Sequence, residues 1–150
     1  MAQSFCQLYG HLIFSTKHRR PWLDAPMRPR VHAYLATLVR DMGCLCQEVG
    51  GTEDHIHILL ALGKDVAPKT IPEKIKMESS KFVKTLGDEY RDFYWQGGYG
   101  MFSVGPTRIR DVKKYIQTQE EHHKKMTFQE EFVKFLKAYG IPYDEKYLWD

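Results

Sequence analysis

Residues 44–62 read CLCQEVGGTEDHIHILLAL, and the reading of this stretch decides the fold. Its two ends, 44–49 and 55–62, are apolar and β-rich, and Gly50-Gly51-Thr52-Glu53-Asp54 lies between them. So short a glycine-containing connection predicts an antiparallel hairpin. Upstream, residues 8–15 (LYGHLIFS) predict a first strand, closed by the basic run Lys17-His18-Arg19-Arg20. Pro26 and Pro29 then open a helical pattern with Val31, Tyr34, Leu35, Leu38 and Val39 at helical spacing, and Gly43 stops it.

Downstream, Pro68 and Pro72 introduce a second helix with Ile71, Ile75, Phe82, Val83 and Leu86 on its apolar side, ended by Gly87. The aromatic, glycine-rich residues 93–104 contain a fourth strand. Gly105-Pro106 breaks the chain, and two further helices are expected over 107–125 and 127–139. The order β-α-β-β-α-β followed by helices is the split βαβ, ferredoxin-like arrangement. It is an α+β class: an antiparallel sheet with helices packed on one face, here with additional C-terminal helices. No repeat or long linker interrupts the 150 residues, so 1–150 reads as a single domain.

Composition narrows the function classes only loosely. The chain is 43% hydrophobic and 27% charged, ordinary for a globular protein, and no apolar run approaches the roughly 20 residues that cross a bilayer. Nothing at the N-terminus resembles a signal peptide. Cys6, Cys44 and Cys46 form an odd set without zinc-finger spacing, read as small buried residues in a reducing cytoplasm. The net charge of +3 permits a nucleic-acid partner without demanding one. Basic residues recur at element ends, in Lys17–Arg20, in Lys74, Lys76, Lys81 and Lys84, and in Arg108, Arg110, Lys113 and Lys114. Such clusters suit a phosphate backbone, and they equally suit solvated helix faces.

His55 and His57 carry the first chemical signal. On a strand, residues i and i+2 share a face, so the two imidazoles project together while Ile56 and Ile58 point away. Side by side they disfavour each other's protonation and stay in the ligating form. Alone, the pair is either a packed core feature or two-thirds of a metal site. Metallo-hydrolases of the His-x-His kind continue into an Asp-His step, whereas this chain continues Ile58-Leu59-Leu60. A third ligand and a nucleophile are missing from the hairpin.

The helix after Gly105-Pro106 offers both. Tyr115 and Gln119 are four apart, on one helical face, and His122 stays near it. A tyrosine at the rim of a core would show the same spacing, so the helix alone decides nothing.

Taken in order, these residues resemble the HUH-class single-tyrosine transposases, the small insertion-sequence and REP-associated tyrosine transposases. His55-Ile56-His57 and Tyr115-x-x-x-Gln119 carry the likeness. Phe14-Ser15-Thr16-Lys17-His18-Arg19-Arg20 resembles the family's first-strand signature, and Phe93–Tyr99 with Phe102-Ser103-Val104 its fourth-strand region. The tail, Gly140–Asp144 and Tyr147-Leu148-Trp149, is also similar, so the resemblance runs almost end to end.

The resemblance implies a metal-dependent DNA endonuclease and strand transferase. His55, His57 and Gln119 would hold one Mg²⁺ or Mn²⁺, and Tyr115 would attack a phosphate of single-stranded DNA beside a hairpin. The product would be a 5′-phosphotyrosine and a free 3′-OH, whose rejoining needs no nucleotide cofactor. Three neutral ligands would leave the ion its full charge. Lys113, Lys114 or His122 would lower the pKa of the phenol. Lys17, Arg19, Arg20, Lys81 and Arg108 are the expected phosphate contacts, and Tyr94, Trp95 and Tyr99 the candidates for base stacking. A homodimer in a bacterial or archaeal cytoplasm is expected, and Gly105-Pro106 reads either as a hinge for helix exchange between chains or, more simply, as an ordinary loop. Three other readings stay open: a replication-initiator-like nickase, a domesticated hairpin-binding regulator, and an RNA nuclease without a covalent intermediate.

Overall fold

In the computed structural model, which describes residues 2–150, four strands form one antiparallel sheet in the order β2-β3-β1-β4. They are β1 (Tyr9–Ser15), β2 (Leu45–Gly51), β3 (His55–Ala61) and β4 (Gly100–Val104). The helices are α1 (Arg28–Asp41), α2 (Thr70–Lys84), α3 (Ile109–Gln117), α4 (Gln119–His122), α5 (Phe128–Ala138) and α6 (Glu145–Leu148). This is the expected ferredoxin-like α+β class. No helix among the described residues is long and apolar enough to cross a membrane.

Strand register sorts the side chains into two layers. Leu12 faces Ile58 and Phe14 faces Ile56, and with Leu60 these pack against Val31, Leu35 and Val39 of α1 and Ile71, Ile75 and Val83 of α2. Each such fully buried aliphatic side chain contributes about 1.5–3 kcal/mol of transfer free energy. On the opposite face, His11 pairs with Leu59, Ile13 with His57, and Ser15 with His55. The expectation of helices on one face is therefore corrected. The helices after β4 cover the second face: Ile116 packs with Leu59 and Val104, and Phe128, Phe132 and Leu136 with Ile13 and Phe102. A sheet face that carries Ile13, Leu59 and Phe102 has apolar area to bury, and only the C-terminal helices remain to bury it.

Two local features shape the region around Tyr115. The helix expected over 107–125 is broken at Thr118, whose φ of −108° and ψ of 27° leave the helical region. Its Oγ1 donates to the Lys114 carbonyl at 3.0 Å, the back-bonding by which a threonine bends a helix. α5 then starts on a reciprocal cap, with Glu130 N donating to Thr127 Oγ1 and Thr127 N to Glu130 Oε1.

The second feature is Gly50. A Cβ there would lie 2.5 Å from the Ile116 carbonyl oxygen, so α3 reaches the sheet only because position 50 has no side chain. Gly50→Ala should lower stability by about 1–3 kcal/mol, as overpacking does, and displace the helix that carries Tyr115. Urea unfolding gives the first effect, and cleavage assays the second.

α1 supplies a pH test of the fold. His32 is largely covered and its Nε2 bonds nothing among the described residues; burial, then the nearby Arg28, pull its pKa down to about 4. The ring is neutral when folded and protonates more readily when unfolded. Its contribution is complete above pH 6.5 and is lost as pH falls from 6.5 to about 4. His32→Gln should flatten that loss by about 1–3 kcal/mol, read from urea midpoints at pH 7 and 4.5.

Candidate metal centre and nucleophile

β3 holds His55 and His57 on the covered face with no solvent exposure. Each ring is gripped from behind through Nδ1. The His55 Nδ1 lies 2.7 Å from Asp54 Oδ1 and 3.0 Å from Thr52 Oγ1. His57 Nδ1 lies 2.8 Å from Nε2 of His11, on the neighbouring strand. Both Nε2 atoms consequently point the same way, into the space between β3 and the C-terminal helices. Outer partners of this kind are what orient imidazoles as ligands.

Three further side chains meet them there. Gln119, buried at the start of α4, places Oε1 2.9 Å from His55 Nε2 and donates from Nε2 to the Tyr115 carbonyl at 3.3 Å. Glu131 of α5 places Oε1 2.9 Å from His57 Nε2, 3.7 Å from His55 Nε2 and 3.1 Å from His123 Nε2. The Tyr115 hydroxyl donates to the other oxygen of the same carboxylate. The His122 ring lies against Tyr115, tilted by 30°, with centroids 4.5 Å apart. One chain thus brings together Tyr115, Gln119 and the histidine pair, although the tyrosine and glutamine no longer share a continuous helix.

Electrostatics at the site follow from burial and from one carboxylate. Burial pulls the pKa of His57 down to about 4, outweighing its hydrogen bond to Glu131. It likewise lowers His11, helped by the charge of His57. Burial opposes ionisation of Glu131, but the His123 imidazole 3.1 Å away and the hydrogen bond from His57 overcome it and hold the carboxyl far below its usual range. For His123, burial is outweighed by Glu131 and Asp54, and its pKa rises. The Tyr115 phenol is pushed well above 10 by burial, then by the Glu131 charge and hydrogen bond. The expectation that its neighbours lower that pKa is therefore reversed. Lys114 is exposed and makes no contact with the hydroxyl among the described residues.

A cation fits this donor set. Asp54 Oδ1 accepts a hydrogen bond from His55 Nδ1, which leaves Nε2 to turn a lone pair toward Gln119 Oε1, itself an acceptor. His123 Nε2 is buried beside Glu131 but misaligned for a hydrogen bond. Ligand atoms of His55, His57, His123 and Glu131 all lie within 4.8 Å of one another. These four residues can hold a metal ion. Imidazoles with a carboxylate suit Mn²⁺ or a softer ion better than Mg²⁺. The neutral ligand set expected from the sequence gains a negative charge from Glu131.

The expected DNA contacts disperse. Arg108 lies with Tyr115, His11, Phe135 and Tyr139 around a cavity of about 450 Å³. Lys17 and Arg20 are exposed and, with Trp22 and Tyr94, border another of about 290 Å³. Arg19 is occupied, donating to the Trp149 carbonyl at 2.9 Å. Lys81 lies on α2, in the layer across the sheet from Tyr115. Trp95 is no stacking platform: it is buried against Phe14 and Phe93, and its Nε1 donates to Ser79 Oγ. Tyr94 and Tyr99 are partly exposed.

Sequence reasoning reads His123, like His122, as a helix-surface or supporting residue rather than a ligand, and it passes over His11 and Glu131. A signal for the last exists: Phe128, Glu131, Phe132, Phe135 and Leu136 form one helical stripe, with a carboxylate set among apolar residues. His11 sits in the same way on the alternating face of β1.

Fold and site together define an antiparallel α+β domain in which a histidine pair faces a tyrosine. Residues 4–119 match the family model described as Transposase IS200 like, and the chain belongs to that family. The match ends at Gln119, so His123 and Glu131 lie beyond it. No curated protein matches. Among solved structures, a protein of Deinococcus radiodurans R1 provisionally assigned as a transposase is 18% identical, with a TM-score of 0.62. That alignment covers 79% of this chain and 98% of that one. A REP-associated tyrosine transposase bound to a REP hairpin is 13% identical, with a TM-score of 0.61 over 82% of this chain and 73% of the other. At such identities these likenesses carry the fold alone.

Proposed function

We propose that this member of a transposase family cuts and rejoins single-stranded DNA beside a hairpin through a covalent bond to Tyr115. One observation carries the reading: the Tyr115 hydroxyl is bonded to the carboxylate whose other oxygen meets His57. Oε2 of Glu131 would accept the phenolic proton as Tyr115 attacks phosphorus, the charge of a divalent ion beside them offsetting the gap between the raised phenol and the lowered carboxyl. The bond from phosphorus to the 3′-oxygen breaks, leaving a 5′-phosphotyrosine and, with a proton from water, a free 3′-OH. Attack by another 3′-OH reverses these steps and rejoins the strand.

His55, His57, Gln119 and Glu131 would hold Mn²⁺ or Mg²⁺, with His123 in support. A divalent ion there supplies Lewis-acid polarisation of a phosphate oxygen. Gln119 and Glu131 orient the ring edges, and Arg108 offers charge to the strand at the mouth of the adjoining cavity. Lys17 and Arg20 would grip hairpin phosphates through their charge. Tyr115 acts on its own chain's site in this arrangement, within a homodimer or without one.

The test is incubation with single-stranded hairpin DNA and Mn²⁺, followed by denaturing electrophoresis. A protein–DNA adduct that forms only with divalent metal supports the reading. DNA binding without any adduct would favour the regulatory alternative, and cleavage without an adduct the nuclease alternative.

A further inference from the structure

His11 is absent from the proposed reaction, although its placement is as specific as that of any residue in it. It is buried on β1, directly against the histidine pair, with ring centroids 5.0 Å from His57. Its Nε2 and the Nδ1 of His57 lie 2.8 Å apart and share a single proton. Its other nitrogen, Nδ1, bonds nothing among the described residues and is not among their buried unpartnered atoms, so it reaches solvent. The ring lines the cavity beside Tyr115, where Arg108 also lies.

The shared proton couples the two sides of His11. Consider both rings neutral. In the structure His57 Nε2 faces the Glu131 carboxylate at 2.9 Å and must donate to it, so its Nδ1 accepts. His11 then carries its proton on Nε2, and its Nδ1 shows the cavity a lone pair. A cation on His57 Nε2 requires a lone pair there, which moves the His57 proton to Nδ1. His11 Nε2 must now accept, and its own proton passes to Nδ1, facing the cavity. Each ring keeps one proton throughout.

We propose that His11 is a positioning residue that holds His57 in its metal-ligating tautomer. By the same hydrogen bond, its cavity-facing nitrogen changes from acceptor to donor when the ion is bound. The cavity so equipped, where Arg108 pairs with Asp111 at 3.4 Å, offers a phosphate oxygen of the DNA strand a donor in the loaded state and only a lone pair in the empty one. The proposal rests on the metal reading above.

The test is NMR of the full chain with ¹⁵N-labelled histidine, without metal and with saturating Mg²⁺. His11 should carry its proton on Nε2 without metal and on Nδ1 with it, and His57 should change in step. Titration calorimetry with Mn²⁺ supplies a second reading. His11→Phe, which keeps the ring volume but accepts no proton, should weaken binding about 10- to 100-fold. His11→Gln, whose amide oxygen can accept from His57 Nδ1, should stay near wild type. An unchanged His11 tautomer in a protein that binds Mg²⁺ through His57 would overturn the proposal. So would a His11→Phe variant that binds Mn²⁺ as tightly as wild type. Equal metal uptake by wild type and His57→Ala would instead remove the metal reading itself.

Discussion

Tyr115→Phe should abolish strand cleavage, lowering it on the order of 10⁴-fold or more, and should leave no covalent protein–DNA adduct. The substitution removes one oxygen. The ring can keep its contact with His122 and its place against His57 and Phe135. Glu131 keeps its contacts with His57 and His123 but loses the phenolic donor. Loss of a hydrogen bond to a charged group costs about 1.5–3 kcal/mol, so the variant should unfold at lower temperature while remaining folded. Affinity for hairpin DNA, measured by mobility shift, should hold, because the proposed phosphate contacts lie on other residues. An adduct that survives in Tyr115→Phe would sink the assignment.

Glu131→Ala should have the second-largest effect, and on two quantities together. The side chain is 1% exposed and its carboxylate meets His57, His123 and the Tyr115 hydroxyl. Removing one partner from a buried charged cluster costs about 3–5 kcal/mol, which calorimetry or urea unfolding will read. Mn²⁺ affinity should fall about 10- to 100-fold if Glu131 completes the ligand set. Glu131→Gln separates the roles. Its amide oxygen can still face His57, but its NH₂ then meets the tyrosine hydroxyl as a donor and cannot take a proton. That variant should retain more stability than Glu131→Ala and cleave almost as poorly. Normal cleavage by Glu131→Gln would show that another group accepts the phenolic proton.

How much of this was legible beforehand differs from element to element. The hairpin around Gly50 and Gly51, the strands on either side and the first two helices were readable, because each is governed by local periodicity and turn chemistry. The side-by-side projection of His55 and His57 followed from strand geometry alone. The break at Thr118 was hidden, because a threonine in a helical pattern reads as helix until its hydroxyl is seen bonded to the Lys114 carbonyl. The burial of Trp95 was hidden too, since an aromatic residue in a strand reads the same on either face.

The sequence by itself determined the antiparallel α+β class, the shared face of the two histidines and the resemblance built on Tyr115 and Gln119. Tertiary structure alone decided that the last helices close over that face, and therefore that Glu131 and His123 join the site. It also decided that His11 stands behind His57. His11 lies 46 positions from His57 and Glu131 lies 74 from it, and His123 is likewise remote from His55, so no local period links these residues to the histidine pair. Only packing of the apolar stripe of α5 onto Ile13 and Phe102 brings the carboxylate beneath the tyrosine. That packing makes one tyrosine of the nine in the chain a candidate nucleophile with a carboxylate bonded to its hydroxyl.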